Sequence, residues 1–525
     1  MQQFITTHRD QIQGVISGFD RLVFHGHLRT ISSAQGMKAY LDSHHILLKD
    51  SGRHVLQVSE RLKQACQTAA RAAKRPMIYL PSGKESKEEL ARSIAARDRV
   101  RSGLICLLTS IEVCWSFRLS ANHKTKRLQL VPCTRKCLHL YQYWMHPQFG
   151  FCGARLQSWF PFAIQICLNG REWLAHPMEA AGLRFLRQDN CFPWIEDYPR
   201  AQQLLDQQLS TDWPQALGGI AAQLHPLAEE IFAPYTAHYY WSTYQSEWAT
   251  ELVFANAEAL RRLYPRLLHH GITTFSSPDV MRFLGKSLPL NGRIPRRWKA
   301  EWATHLGGRH EGVRLRHTLN RNSVKIYDKA FTPRGRVLRV ETTIHNEADF
   351  GVWRPKQGGP ADERFLRKMR RGVADLFRRG QVSQKANERY LDALASVEDR
   401  ATVEQRLAPL TCPTQWRGKR VRALRLFDPD ETALLRAIQR LEFTLNGLRN
   451  RDLQALLFAE AAPTPQERRQ RSSRISYRLR ILRAHGLLRK IPHSHRYQLT
   501  PTGRAAITAL LTAAQTIVAD VSAAA

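Results

Sequence analysis

The sequence predicts an α+β protein: a mixed α/β body containing an antiparallel strand meander, an all-helical connector, and a small C-terminal module of helices closed by a short hairpin. Three observations lead there. Segments of strand length, several alternating with period two, fall in two separate stretches, near residues 14–131 and 313–344. Helical patterning fills the chain between and after them. The C-terminal part carries an ordered series of helix, glycine, short strand, turn, short strand and capped helix.

Taken in order, residues 14–26 read as strand, turn and strand, followed by helices over 37–47 and 55–73. The run 103–112 has the length and content of a buried strand, which 115–119 extends, and the basic turn 122–127 leads to a return strand at 128–131. Between 137 and 173 aromatic residues crowd together with Arg155 and Arg171, as either plain core or a base-stacking platform. Helical patterns are expected from 199 to 268, including the Tyr240 to Thr250 stretch. Strands at 313–317, 323–328 and 337–344, separated by turn signals at 320–322 and 332–335, form the meander. A Gly-Gly-Pro linker at 356–360 precedes a basic helical segment with Arg364, Arg367, Lys368, Arg370, Arg371, Arg378 and Arg379, reaching about Leu394. The domain expectation is therefore 1–200, 201–355, a connector at 361–425, and a terminal module at 426–525.

Bulk properties constrain the partner. The 525 residues are too many for one ordinary compact unit, and 43% apolar content supplies several cores. Lys and Arg number 79 against 45 Asp and Glu, a net charge of +34, and such an excess calls for a polyanion. No membrane association is expected: the apolar run 159–168 is about half a transmembrane helix and contains Pro161 and Gln165. The first residues lack a signal-peptide pattern, and the nine cysteines, an odd number, read as reduced thiols, so a cytoplasmic location is expected. Cys133-x3-Cys137 with His139 is half of a zinc pattern, and no second pair follows at the usual spacing. Neither a Walker-type loop nor a Gly-x-Gly-x-x-Gly after a strand is present, which argues against nucleotide-driven work.

The terminal module has the most specific pattern. Residues 427–447 read as one amphipathic helix, and 450–458 as a short helix capped by Asn450. After a proline-containing turn, a helix over 468–485 places Ile475, Leu479 and Leu482 on one stripe and arginines on the rest. Gly486 ends it, two short strands surround the turn 492–495, and Thr500 with Pro501 restarts a helix. Between Pro463 and Arg504 eleven Lys/Arg stand against the single acid Glu467. This arrangement, with "LRAHGLLRK" and "RYQLTPTGR", resembles the winged helix-turn-helix of MarR-type bacterial regulators over about the last seventy-five residues. The resemblance implies DNA binding, with Arg469, Arg474, Arg478, Arg480 and Arg483 on the recognition helix, and Lys490, His493, His495 and Arg496 reaching phosphates or the minor groove. RNA remains open as a partner, and a homodimer is compatible with such a module.

In the body, Asp20, Glu112, Asp328 and Glu341 lie in or at the ends of apolar strands. Carboxylates so placed suit phosphodiester chemistry with Mg²⁺ or Mn²⁺, with Asp20, Glu112 and Glu341 as metal ligands and Glu247 as an added one. The pattern resembles a ribonuclease-H-like transposase core; the alternative for each acid is a salt bridge to one of the many arginines. Tyr240 and Tyr244, one helical turn apart on a helix, together with "VKIYDK" and "VLRVETTI", resemble rolling-circle replication initiators. That family binds its metal through two histidines flanking a bulky apolar residue, whereas this chain offers His25-Gly-His27 and His493-Ser-His495. The expected function is a mobile-element DNA-processing protein, transposase or nuclease-like, targeted by its winged helix. The alternatives are a non-enzymatic winged-helix transcriptional regulator and a replication initiator.

Overall fold

The computed structural model describes residues 1–81, 85–122, 124, 126–287, 298–306, 313–329, 336–356, 358–360, 362–395, 402–440, 442–458, 460–492 and 494–514. The turn 332–335, His493 and residues 293–297, which carry three arginines and read as a basic loop, lie outside them. The protein is α+β. It forms two compact units, one from Met1–Gln13, Phe254–Val340 and Lys385–Ala525, the other from Gly14–Val253 and Glu341–Gln384. In chain order the strands are β1 (Ile12–Leu28), β2 (Met77–Tyr79), β3 (Gly103–Asn122), β4 (Arg127–His146), β5 (Gly150–Gln157), β6 (Ile164–Asn169), β7 (Phe185–Gln188), β8 (Cys191–Ile195), β9 (Tyr239–Phe254), β10 (Glu301–Leu306), β11 (Val313–Leu319), β12 (Asn322–Asp328) and β13 (Val337–Ile344).

The unit built on Gly14–Val253 is organised by a sheet in which β13, β9, β1, β6, β5, β4, β3 and β2 are successive neighbours. From β1 to β3 the pairs are antiparallel, and β2 adds parallel to β3. Alternation along the strands assigns Leu22, Phe24, Ala154, Leu156, Ile164, Ile166 and Leu168 to the main core. The helix Ser51–Ala72 covers part of that core, since Val55, Val58, Leu62 and Cys66 recur at helical spacing and are buried. Most of the crowded aromatics, among them Phe149, Phe160, Phe162 and Trp173, are plain core.

Three expectations in this unit change. β1 is one unbroken strand rather than a hairpin. Gly18 and Gly26 are not turn glycines: a Cβ there would stand 2.6 Å from Leu205 and 2.5 Å from Trp241, so glycine admits a close-packed neighbour. The stretch with Tyr240 and Tyr244 is the strand β9, not a helix, because its Tyr, Trp, Thr and Val residues fill a pleated surface better than a helix. Likewise Arg364–Lys368, expected to be helical, pairs antiparallel with Gly351–Pro355, and the helix begins only at Leu376, running to Leu394.

In the other unit, β10, β11 and β12 form an antiparallel meander, and Lys329 N–H donates to the Val337 carbonyl at 2.9 Å to carry it into β13. The terminal module follows the expected series. Helix Pro465–Ala484 is capped by Thr464, Gly486 takes φ +72°, strands Leu488–Lys490 and Arg496–Leu499 pair, and Thr500 caps Pro501–Ala513. Leu448–Arg449 adds a third strand. Ile475, Leu479 and Leu482 are buried as the stripe required, with Leu434, Leu453 and Ile507. Two details differ: the long helix is divided into Pro429–Ile438 and Glu442–Asn446, and Arg449 rather than Asn450 occupies the cap. The Asn450 amide is instead committed to the Ser472 carbonyl and Ser476 Oγ, each at 2.8 Å. Among the described residues, no helix is long and apolar enough to cross a membrane.

Candidate metal centre and nucleic-acid interface

Three contacts set the register of β1 against β9. Ser17 Oγ lies 2.8 Å from Thr250 Oγ1, the Phe19 ring meets Trp248 edge-on at 4.9 Å, and Trp241 occupies the space above Gly26. An antiparallel pair that satisfies all three places Asp20 directly opposite Glu247. On the other side of β9, Phe254 N–H donates to the Arg336 carbonyl at 2.8 Å, and Arg379 reaches both Ser246 Oγ and the Ile344 carbonyl. That register brings Glu341 beside Glu247 on the same face.

The consequence is a cluster of three carboxylates on three neighbouring strands. Ligating oxygens of Asp20, Glu247 and Glu341 all lie within 4.8 Å of one another. Asp20 and Glu341 are buried and Glu247 is partly exposed. Second partners orient them: Asn190 Nδ2, at the β7–β8 turn, donates to both Asp20 oxygens at 3.2 and 3.3 Å. Gln245 Nε2 donates to Glu247 at 2.6 Å, and Thr343 Oγ1 to Glu341 at 3.4 Å. The donor set is all carboxylate oxygen, which fits a hard divalent cation such as Mg²⁺ or Mn²⁺ and disfavours zinc.

The other expected carboxylates lie elsewhere. Glu112, proposed as a metal ligand, accepts from Arg155 at 3.1 Å and Tyr141, and pairs with Lys87 at 3.3 Å, so for it the salt-bridge reading describes the contacts. Its carboxyl is held below the usual range, because the hydrogen bonds from Tyr141 and Lys87 and the Arg155 charge outweigh the burial that opposes ionisation. Asp328 is buried in the other unit and does not belong to the cluster. Cys137 Sγ stands 3.9 Å from His139 Nδ1, but among the described residues no third ligand completes a metal group with them.

In the terminal module the arginines divide by role. Arg474 and Arg478 both bond the Asp430 carboxylate, at 2.5 and 2.7 Å. Arg483 lies 5.0 Å over the Trp416 ring, and Arg480 lies 5.2 Å over Tyr477. Arg469 and Lys490 are exposed and, among the described residues, have no carboxylate partner. A cavity of about 600 Å³ opens between the helix and the wing, bordered by Arg449, Arg451, Ser472, Ser476, His495 and Arg496. Arg496, which also donates to the Gly447 carbonyl at 2.8 Å, has its pKa lowered by burial and then by the charges of Arg449 and Arg451. Crowded like charge of this kind is relieved by an anion. Arg449, Arg451 and the two serines escaped the sequence reading, since they enter the groove from a separate short helix and from the helix face between the arginines.

The paired tyrosines share one face of β9 with Ser242 between them: His25 stacks on Tyr244 at 4.6 Å and His27 meets Tyr240 at 5.6 Å. No family model, no curated protein and no solved structure matches the chain.

Proposed function

We propose that this protein processes the DNA of a mobile element, as a transposase or a nuclease-like enzyme, with a metal-dependent phosphodiester site at Asp20, Glu247 and Glu341 and a winged helix that engages duplex. The single observation carrying the reading is the convergence of three carboxylates from three neighbouring strands to within 4.8 Å. Crowding three carboxylates at that range is costly, and a divalent cation is the natural compensation. When bound, such an ion lowers the pKa of a water and stabilises charge on the leaving oxygen. The chain's own contribution is positional: Asn190, Gln245 and Thr343 hold the carboxylates in place, and the exposed Arg469 and Lys490 meet phosphate.

The test is nicking of supercoiled and linear labelled DNA with Mg²⁺ or Mn²⁺ by the wild type, Asp20→Asn and Glu341→Gln. Metal-dependent nicking that drops by about 10²-fold or more in both variants supports the reading. Tight duplex binding without nicking under any metal condition sinks it. That outcome favours a non-enzymatic winged-helix regulator, a reading to which the burial of Asp20 and Glu341 already lends support.

A further inference from the structure

The face of the sheet opposite the carboxylate cluster carries aromatic and basic groups that the metal site does not use. Strand pairing sets His25 opposite Gln165, Gln165 opposite Arg155, and Arg155 opposite Tyr141, a single row across β1, β6, β5 and β4. At one end of the row the Tyr244 ring, 50% exposed, stacks on His25 with an interplanar angle of 8°. Next to it the Arg29 guanidinium lies 3.2 Å over the Tyr240 ring. At the other end the row opens into a cavity of about 460 Å³ whose charged lining is Arg21, Lys87, Arg92 and Arg155 together with Glu85 and Glu88.

We propose that this strip binds single-stranded DNA, with bases stacking on the Tyr244 ring and the backbone running along the arginines toward the cavity. Flat rings presented side by side on a sheet suit unpaired bases, whose faces are free, whereas a duplex hides them. Burial first, then neighbouring positive charge, lowers the pKa of both His25 and His27, so at neutral pH they are uncharged rings suited to stacking. Charge complementarity supports the occupant: Arg29 has no carboxylate partner among the described residues, and Arg21 is half-exposed with its nearest carboxylate, Glu88, at the long distance of 4.0 Å. The choice of DNA rests on the proposed function, and the strip would supply what that function lacks, a place for a strand separated from its complement.

The experiment measures anisotropy of labelled oligo-dT and of a duplex with the full chain in EDTA at fixed salt, comparing Tyr244→Val with Tyr244→Phe. Valine preserves strand propensity and removes the ring; phenylalanine keeps the ring. We expect about tenfold weaker oligo-dT binding for Tyr244→Val, little change for Tyr244→Phe, and unchanged duplex binding for both. Equal oligo-dT binding by Tyr244→Val and wild type overturns the strip, as does a parallel loss on oligo-dT and duplex. Tighter, Tyr244-dependent binding of oligo-rU overturns the assignment to DNA. Because EDTA removes metal, ring-dependent binding in a protein that never nicks DNA rejects only the nuclease reading.

Discussion

Asp430 holds Arg478 at 2.7 Å and Arg474 at 2.5 Å, so one carboxylate engages two arginines that the sequence places on the recognition surface. Hydrogen bonding from Arg478 leads the causes that keep the Asp430 pKa low. Asp430 and Arg474 are exposed while Arg478 is mostly covered, and ion pairs on an exposed carboxylate contribute little to stability. Its effect belongs to binding: Asp430→Asn removes a negative charge from the module and loosens its hold on both guanidiniums, although Arg478 keeps its bond to the backbone carbonyl at that position at 3.3 Å. We expect severalfold tighter duplex binding with a steeper salt dependence, by about one counterion, read from affinities across a salt series. Unchanged affinity would mean that neither arginine reaches phosphate.

Asp20 and Glu247 are cross-strand neighbours of like charge, an arrangement that destabilises a sheet by up to about 1 kcal/mol. Glu247→Gln removes the repulsion while preserving size. In EDTA the variant is expected to melt slightly higher than wild type. In Mn²⁺ the wild type gains stability by mass action and the variant gains much less. A Mn²⁺-induced shift of equal size in both proteins would count against Glu247 as a ligand.

Arg171 and Glu251 form an ion pair at 3.4 Å with both side chains almost wholly buried. Arg171 also donates to the Ala249 carbonyl at 3.2 Å. Removing one partner leaves an uncompensated buried charge. Glu251→Ala should therefore cost about 3–5 kcal/mol, whereas replacing both, as in Glu251→Leu with Arg171→Met, should recover much of it. Denaturant midpoints of the two variants decide the matter, and equal losses would show that the pair's charge is not what the site needs.

His225 is enclosed by Phe162, Phe232 and Tyr239, and burial lowers its pKa from 6.5 to about 4. The unfolded chain takes up a proton near pH 6.5, while the folded one resists until about pH 4. Stability present above pH 6.5 is therefore withdrawn as pH falls through that window, by about 3 kcal/mol for this group. His317, lowered to about 4 by burial in the other unit, acts in the same direction there. His225→Phe should flatten the decline between pH 7 and 4.5, since Tyr239 keeps its bond to the Phe162 carbonyl at 2.9 Å. A pH profile identical to wild type would assign the acid sensitivity to other groups.

Much of the terminal module was legible because its signals are local. A threonine cap, a positive-φ glycine and a buried 3.6-period stripe act within a few residues of one another, and Thr464, Gly486 and Leu479 behave as local chemistry requires. The division of the arginines was not legible, because Asp430, which engages Arg474 and Arg478, lies more than forty residues away in the sequence. The Tyr240 to Thr250 stretch misled in the same way: its aromatic residues recur at a spacing compatible with helix, and only the ladder neighbours β1 and β13 make it a strand.

Read alone, the sequence shows a strongly basic α+β protein and puts Asp20, Glu112, Asp328 and Glu341 in or at the ends of apolar strands, with Glu247 as an added acid. Composition and short-range periodicity carry that information. Which of these acids meet depends on strand order in the folded sheet. Asp20 joins Glu247 and Glu341 because β1, β9 and β13 are neighbours in the sheet, while Glu112 is held by Arg155, Tyr141 and Lys87. The reason is physical: a side chain's identity is local, but the distance between two charges depends on strand order and register, which are set by the packing of segments hundreds of residues apart.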